Sequence, residues 1–280
     1  MNQSDQIQKY DFHRSLFGIE KTFISSLFED SFLYNSINYA IEPSITIEDE
    51  NIYSNRFYIY YMDPVNLINN ATKSIKWIDN VSDKSDLCID KSLLNKVLFG
   101  NVLSAETNIR CLIAGYDIRD QSEYSRIKWC IDINGDSRAL LNIIILHGSP
   151  KEVLKFTERN RLLFMVEMRG DGDTRLKVYP IITKPNEDHI QIFSKNVYKI
   201  LARSKQTFIS FDRNMDRILN LFIHANNEKT IIDHGLGILF DNSNFKEIFK
   251  SLCRKYKIRC ISLKEKEFDR GEIRKINLYY

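Results

Sequence analysis

R-C-L-I-A-G-Y-D-I-R-D-Q-S-E-Y-S-R-I-K-W-C-I-D-I, residues 110–133, is the stretch on which the fold turns. It reads as two strands joined by a short polar turn, and the second strand alternates strictly. Arg126, Lys128, Cys130 and Asp132 fall on one face; Ile127, Trp129, Ile131 and Ile133 fall on the other. Side chains in a strand point to opposite sides at every residue, so one face of the hairpin is apolar and the other carries cations. Taken alone, this is an antiparallel hairpin with one face in solvent.

The same pattern returns on both sides. Upstream, a helix is expected from about Gln6 to Asn35, with Phe23, Ile24, Leu27, Phe28, Phe32 and Leu33 at three- and four-residue spacing. Strands follow at Tyr39–Glu48 and Tyr53–Met62, with Arg56, Tyr58 and Tyr60 sharing a face of the second. Asp63-Pro64 opens a helix to about Asn80, and another runs from about Asp90 to Phe99 and stops at Gly100. Downstream, helices at Arg138–Leu146 and Glu152–Asn160 precede the hairpin R-L-L-F-M-V-E-M-R, Gly170-Asp171-Gly172-Asp173, T-R-L-K-V-Y-P-I-I, in which Arg175, Lys177 and Tyr179 share a face. A metal or phosphate loop could be drawn on Gly170–Asp173, but a hairpin turn explains it better. A helix at about Asp188–Ala202 leads to strands Gln206–Asp212 and Arg217–His224, where Asn220, Phe222 and His224 share a face. His224 reads as a strand end. A helix at Asn244–Tyr256, the strand Ile258–Leu263 and the ending E-I-R-K-I-N-L-Y-Y complete the chain, with Lys275, Asn277 and Tyr279 on one face.

The pattern amounts to ~10 strands in hairpins, each preceded by helix, with no Pro/Gly/Ser-rich linker. It predicts one domain over residues 1–280, an α+β fold built from repeated helix–strand–strand units, with residues 1–20 a peripheral segment. Forty basic and 37 acidic residues give a net charge of +3, too small to advertise nucleic acid as a partner, although Lys246–Lys275 holds 11 basic and 5 acidic residues. Five scattered cysteines without C-x-x-C argue against a disulfide framework and a zinc site. No apolar run suits a membrane span or signal peptide, so a cytoplasmic protein, a monomer or weak homodimer, is the expectation.

Helices between hairpins need an apolar sheet surface to cover. If they wrap the outside of a closed barrel, the faces carrying Arg, Lys and Tyr line its interior. Converging cations would bind an anion, and tyrosines would wall an apolar tail. A sandwich with a wet polar face remains the other reading of the pattern.

Several segments together resemble the cyanobactin peptide prenyltransferases, a branch of the ABBA prenyltransferase group. They are L-F-E-D (Leu27–Asp30), A-I-E-P-S-I-T-I-E (Ala40–Glu48), S-N-R-F-Y-I-Y-Y, A-G-Y-D-I-R (Ala114–Arg119), R-I-K-W-C-I-D-I and I-R-K-I-N-L-Y-Y. The resemblance implies a ten-stranded antiparallel β-barrel surrounded by helices. It implies transfer of an isoprenyl group from its diphosphate, with dimethylallyl diphosphate as co-substrate and magnesium assisting, to a side chain of a cyclic or linear peptide. By the same resemblance Arg56, Lys128, Arg175, Lys177, Tyr179 and Tyr279 bind the diphosphate, and Glu42 is the general base. Tyr58, Tyr60, Asp132, Glu167, Phe208 and Phe222 line the prenyl and acceptor pocket, with Phe208 near the place that sets isoprenoid length and favouring C5. Asp132 departs from the family pattern. With Glu42 and Glu167 it would suit an arginine acceptor over Tyr or Trp. The competing readings are a small-molecule aromatic prenyltransferase and a non-catalytic barrel that binds peptide or RNA.

Overall fold

In the computed structural model Arg126–Asn134 is a strand whose Ile127, Trp129, Ile131 and Ile133 are all buried. They face helices: Trp129 Nε1 donates to Ser74 Oγ at 3.0 Å, and Ser74 lies on the helix Leu67–Lys84. The structure describes residues 2–34, 38–49, 51–62, 66–103, 107–135, 137–157, 161–186, 191–211, 215–223 and 258–280. The expected helix at Asn244–Tyr256, the Asp63-Pro64 helix start and His224 lie outside these residues.

The strands are β1 (Tyr39–Glu48), β2 (Asn51–Tyr53), β3 (Arg56–Tyr61), β4 (Asn108–Asp117), β5 (Arg126–Asn134), β6 (Arg161–Arg169), β7 (Thr174–Ile182), β8 (Ser204–Phe211), β9 (Arg217–Ile223), β10 (Cys260–Lys264) and β11 (Lys275–Tyr279). The ladder runs β11-β10-β9-β8-β7-β6-β5-β4-β3-β1, and β11 pairs back with β1. The sheet is thus a closed antiparallel barrel of ten strands in five hairpins, with the three-residue β2 added on β1.

Contacts divide the chain into two compact units, Met1–Pro43 with Ser54–Val178, and Ser44–Tyr53 with Tyr179–Tyr280. Two strands belong to both, and each carries a proline at the crossing. In β1 the pairing with β3 ends at Pro43, and pairing with β11 begins at Ser44. In β7, Pro180 precedes Ile181, where pairing with β8 begins. Proline cannot donate to a ladder, so it fits where a strand changes partner.

In the first unit the apolar faces of β3–β6 are covered by helices. Tyr10 lies 4.4 Å from Phe57, Phe28 lies 5.1 Å from Tyr116, and Phe28 and Phe32 pack edge-on against Trp77. The single N-terminal helix expected from the spacing is two. The first, Gln3–Leu16, ends before Gly18, whose φ of 59° is left-handed backbone, and the second, Phe23–Phe28, starts from a capping box between Thr22 and Ser25 and widens into a π turn at Glu29–Leu33. The first twenty residues are also less peripheral than expected. Lys9 Nζ donates to the Ile41 carbonyl at 2.9 Å, and the Ile41 N–H donates to Gln6 Oε1 at 2.8 Å. The buried face of that helix is Gln6, Lys9, Tyr10 and His13, largely polar, so hydrophobic periodicity gave no sign of it.

The second unit packs the helix Lys195–Arg203 through Val197, Ile200 and Leu201. A short helix, Glu265–Arg270, absent from the sequence reading, sits inside the last hairpin and ends at Gly271 with φ 70°. Its Glu265 receives Arg217 from β9. Thr46 Oγ1 bonds Asn277 Oδ1 at 2.6 Å, and Lys275 pairs Glu48 at 2.7 Å across β1 and β11. Among the described residues four cysteines are free, and no helix is long and apolar enough to cross a membrane.

Trp129 is fully buried with its one donor satisfied. Trp129→Ala is expected to cost about 3–5 kcal/mol, read as a lower midpoint in denaturant unfolding.

Candidate active site

Opposite the helix-covered face, the first unit carries a grid of side chains set by strand register. Each row crosses the strands, and rows lie two residues apart, about 6.6–6.8 Å along a strand. The first row is Arg56, Asp117, Arg126 and Arg169. The second is Glu42, Tyr58, Gly115, Lys128 and Glu167. The third is Ala40, Tyr60, Ile113, Cys130 and Met165. The fourth holds Cys111, Asp132 and Leu163.

Charge is concentrated in the first two rows, and it is buried: Arg56 is 3% exposed, Lys128 4% and Glu167 2%. Asp117, fully buried at the end of β4, receives Arg56 at 3.3 Å, Arg119 at 2.8 Å and Lys128 at 3.8 Å. Glu167 receives Lys177 at 2.7 Å and Arg126 at 4.0 Å. Tyr58 links the groups, its hydroxyl accepting from Lys128 Nζ at 2.7 Å and from an Arg56 nitrogen at 3.3 Å. Gly115 makes this approach possible: a Cβ there would lie 2.7 Å from Tyr58 Cδ1 and closer still to the Phe57 carbonyl.

Burial opposes ionisation of Asp117, but Arg56, Lys128, Arg119 and Arg126 outweigh it and hold the carboxyl well below the usual range. Burial likewise opposes ionisation of Glu167, and Lys177, Arg126 and Lys128 reverse it. For Lys128, burial and then the neighbouring Arg56 lower the ammonium pKa to about 8, against the pull of Asp117 and Glu167. Burial also pushes the Tyr58 hydroxyl up to about 12, so it stays a neutral phenol. Arg56, Arg119, Arg126, Lys128 and Lys177 thus gather around Asp117 and Glu167.

A family model matches residues 4–280. The chain belongs to that family, a family of unknown function (DUF5838). No curated protein matches it. Among solved structures it is similar to AnaPT from Neosartorya fischeri, at 11% identity and TM-score 0.54, covering 86% of this chain and 77% of that one. It is also similar to a 6-dimethylallyl tryptophan synthase (11%, TM-score 0.57, 85% and 79%) and to the NotF prenyltransferase (11%, 0.51, 99% and 94%). The fold of this DUF5838 chain is therefore that of the ABBA prenyltransferase barrel.

Of the residues singled out in the sequence, Arg56, Tyr58, Lys128, Glu167 and Lys177 come together in this cluster. Glu42 and Tyr60 form a pair beside it, the Tyr60 hydroxyl donating to Glu42 Oε1 at 2.6 Å. Asp132 stands two rows from Lys128 and is held by Arg161, Nε to Oδ1 at 3.1 Å and an Nη to Oδ2 at 2.7 Å. Burial first, then Asp132 and Glu42, push the nearby Cys111 thiol up to about 12. Arg175 departs from its expected place: it bonds Asp173 at 2.8 Å in its own hairpin turn, beside Arg169. Tyr179, Tyr279, Phe208 and Phe222 belong to the second unit, where Phe208 and Phe222 pack with ring centres 4.7 Å apart. Asp117, Arg119, Arg126 and Gly115 went unassigned in the sequence, although A-G-Y-D-I-R holds three of them and Arg126 shares a face with Lys128.

Among the described residues no group of three or more His, Cys, Asp or Glu side chains is placed to hold a metal ion. The buried carboxylates Asp117 and Glu167 are engaged by cations. With both taken up in this way, these two carboxylates alone make no magnesium site.

Lys128 is a cation below about pH 8 and neutral above it. Affinity for inorganic diphosphate is expected to be full below that pH and to fall as pH rises through it. Lys128→Arg, which stays charged, removes that limb. Calorimetric titration between about pH 6.5 and 9.5 measures both.

Proposed function

We propose that this chain transfers an isoprenyl group from its diphosphate to a peptide side chain, with dimethylallyl diphosphate as donor. The observation that carries this is the order of the rows. Charged groups, the buried Arg56 and Lys128 among them, fill the first two rows of the polar face around the Tyr58 phenol, and the uncharged row of Ala40, Tyr60, Ile113, Cys130 and Met165 lies beyond them. That order matches a molecule with a trianionic head and a short hydrocarbon tail. The prenyltransferase fold supports the same reading, and the peptide acceptor rests on the cyanobactin-like segments of the sequence.

In this reading the carbon–oxygen bond of the allyl diphosphate breaks and its electron pair leaves with the diphosphate. Arg56, Arg126, Lys128 and Lys177 stabilise the anion as its charge develops, which is where preorganised donors have most effect. The rings of Tyr58 and Tyr60 face the allyl cation and exclude water. The acceptor's nucleophilic atom forms the new bond, and Glu42 takes the proton it releases.

The acceptor favoured is a neutral aromatic side chain, Tyr or Trp. The case for arginine needed Asp132 and Glu167 available to a substrate guanidinium, and both already hold protein cations, Arg161 and Lys177. A substrate arginine would have to displace Arg161 from a bidentate pair.

The test is a mass-spectrometric assay with dimethylallyl diphosphate and cyclic peptides that each offer one of Tyr, Trp, Arg, His or Ser, together with free tryptophan. One C5 unit on the Tyr or Trp peptide is expected. Modification of free tryptophan alone would move the activity to small aromatic acceptors, and no product with any acceptor would refute prenyl transfer. Glu42→Gln should lower kcat by roughly 10²–10⁴-fold. Arg56→Ala should lower kcat/KM by roughly 10²-fold or more.

A further inference from the structure

We infer that the Asp132–Arg161 ion pair sets the length of the donor, by ending the uncharged row one isoprene unit away from the cation cluster. The inference rests on the proposed binding direction, head on the cations and tail towards β5 Cys130. It concerns only side chains of the first unit.

The third row is the one uncharged row between two charged regions. On β5 the sequence of inward groups is Lys128, Cys130, Asp132; on β6 it is Glu167, Met165, Leu163, Arg161. A five-carbon tail attached to a diphosphate on Arg56 and Lys128 occupies the row of Tyr60, Ile113, Cys130 and Met165. A ten-carbon tail must continue into the fourth row, where both oxygens of Asp132 are bonded to the Arg161 guanidinium. The pair is mostly buried, with side chains 9% and 19% exposed. Hydrocarbon laid there would strip the pair of its remaining solvent without supplying a polar partner. An added isoprene unit thus meets a polar stop where an apolar pocket would have rewarded it.

The pair is a diagonal one across the ladder. Arg161 comes from one residue pair further along the ladder, opposite Asn134, and reaches back to Asp132.

The experiment compares dimethylallyl and geranyl diphosphate, by kcat/KM for transfer and by calorimetric binding, in the wild type and in Asp132→Leu/Arg161→Leu. Replacing a buried ion pair as a whole by apolar residues is commonly tolerated, whereas removing one partner is not. The wild type is expected to prefer the C5 donor by at least about tenfold, and the double variant to raise the geranyl-to-dimethylallyl ratio by about 10- to 100-fold. Affinity for inorganic diphosphate should stay unchanged, which a general loosening of the fold would not allow. Asp132→Asn, which keeps a polar partner for Arg161, should leave the ratio near wild type. Equal use of both donors by the wild type would overturn the inference without any variant. So would an unchanged ratio in a double variant that still transfers the C5 unit. If the wild type binds both diphosphates but transfers neither, the functional reading falls while the binding ratio still decides the length question. If it binds neither, both fall.

Discussion

Buried positive charge has to be held in place by something, and in the Arg56–Lys128 cluster that task falls to Asp117 and Glu167. Removing an ion from water costs several kcal/mol even after relaxation. A counter-charge at about 4 Å returns about 4 kcal/mol at the effective dielectric of such sites. Asp117 stands within that range of Arg56, Arg119 and Lys128, and Glu167 stands within it of Lys177 and Arg126. Asp117 and Glu167 do not offset burial and like charge equally for every cation they meet. The remainder appears in the chemistry of Lys128, whose ammonium is weakened by burial and by its neighbour Arg56. A polyanion placed among these groups, as in the proposed reaction, would relieve that repulsion.

The grid that brings these groups together is a consequence of strand alternation. Once Ile127, Trp129, Ile131 and Ile133 are committed to the helices, Arg126, Lys128, Cys130 and Asp132 have no other side to occupy. Cross-strand register then fixes neighbours: Arg56 meets Asp117, and Lys128 meets Glu167. Gly115 is the one position in the second row without a side chain, and that gap lets the Tyr58 phenol reach Lys128 across an intervening strand. The chemistry of the site thus depends on an absence as much as on the charges around it.

The fold was readable because its signal is repetitive. Ten strands in five hairpins with helices between them leave a period-two pattern that a single strand would not make convincing. What was hidden has a physical cause in each instance. The first helix buries Gln6, Lys9, Tyr10 and His13, and polar burial has no hydrophobic period. The short helix Glu265–Arg270 is charged at five of its six positions and looks like a turn in sequence. In the site, Arg56, Lys128 and Lys177 were legible as cations on a common face, while Asp117 was not, because a lone acid at a strand end gives no sign of which bases surround it. Arg175 was legible by alternation as well, but its bond to Asp173, two residues earlier in the turn, was not. Asp132 was noticed as an anomaly, and its partner Arg161, nearly thirty residues later, could be found only in three dimensions.

That partner changes what the anomaly means. A buried ion pair is seldom the most stable choice, since a pair of well-packed apolar residues of similar volume often does as well or better. Retaining one on a face otherwise suited to hydrocarbon therefore calls for an explanation other than stability. Arg161 removes the free carboxylate that would have drawn a cationic acceptor. It also places a polar stop beyond Cys130 and Met165. In the proposed reaction both effects would act in the same direction, favouring a short tail and a neutral nucleophile, with Glu42 and the Tyr60 hydroxyl beside the uncharged row.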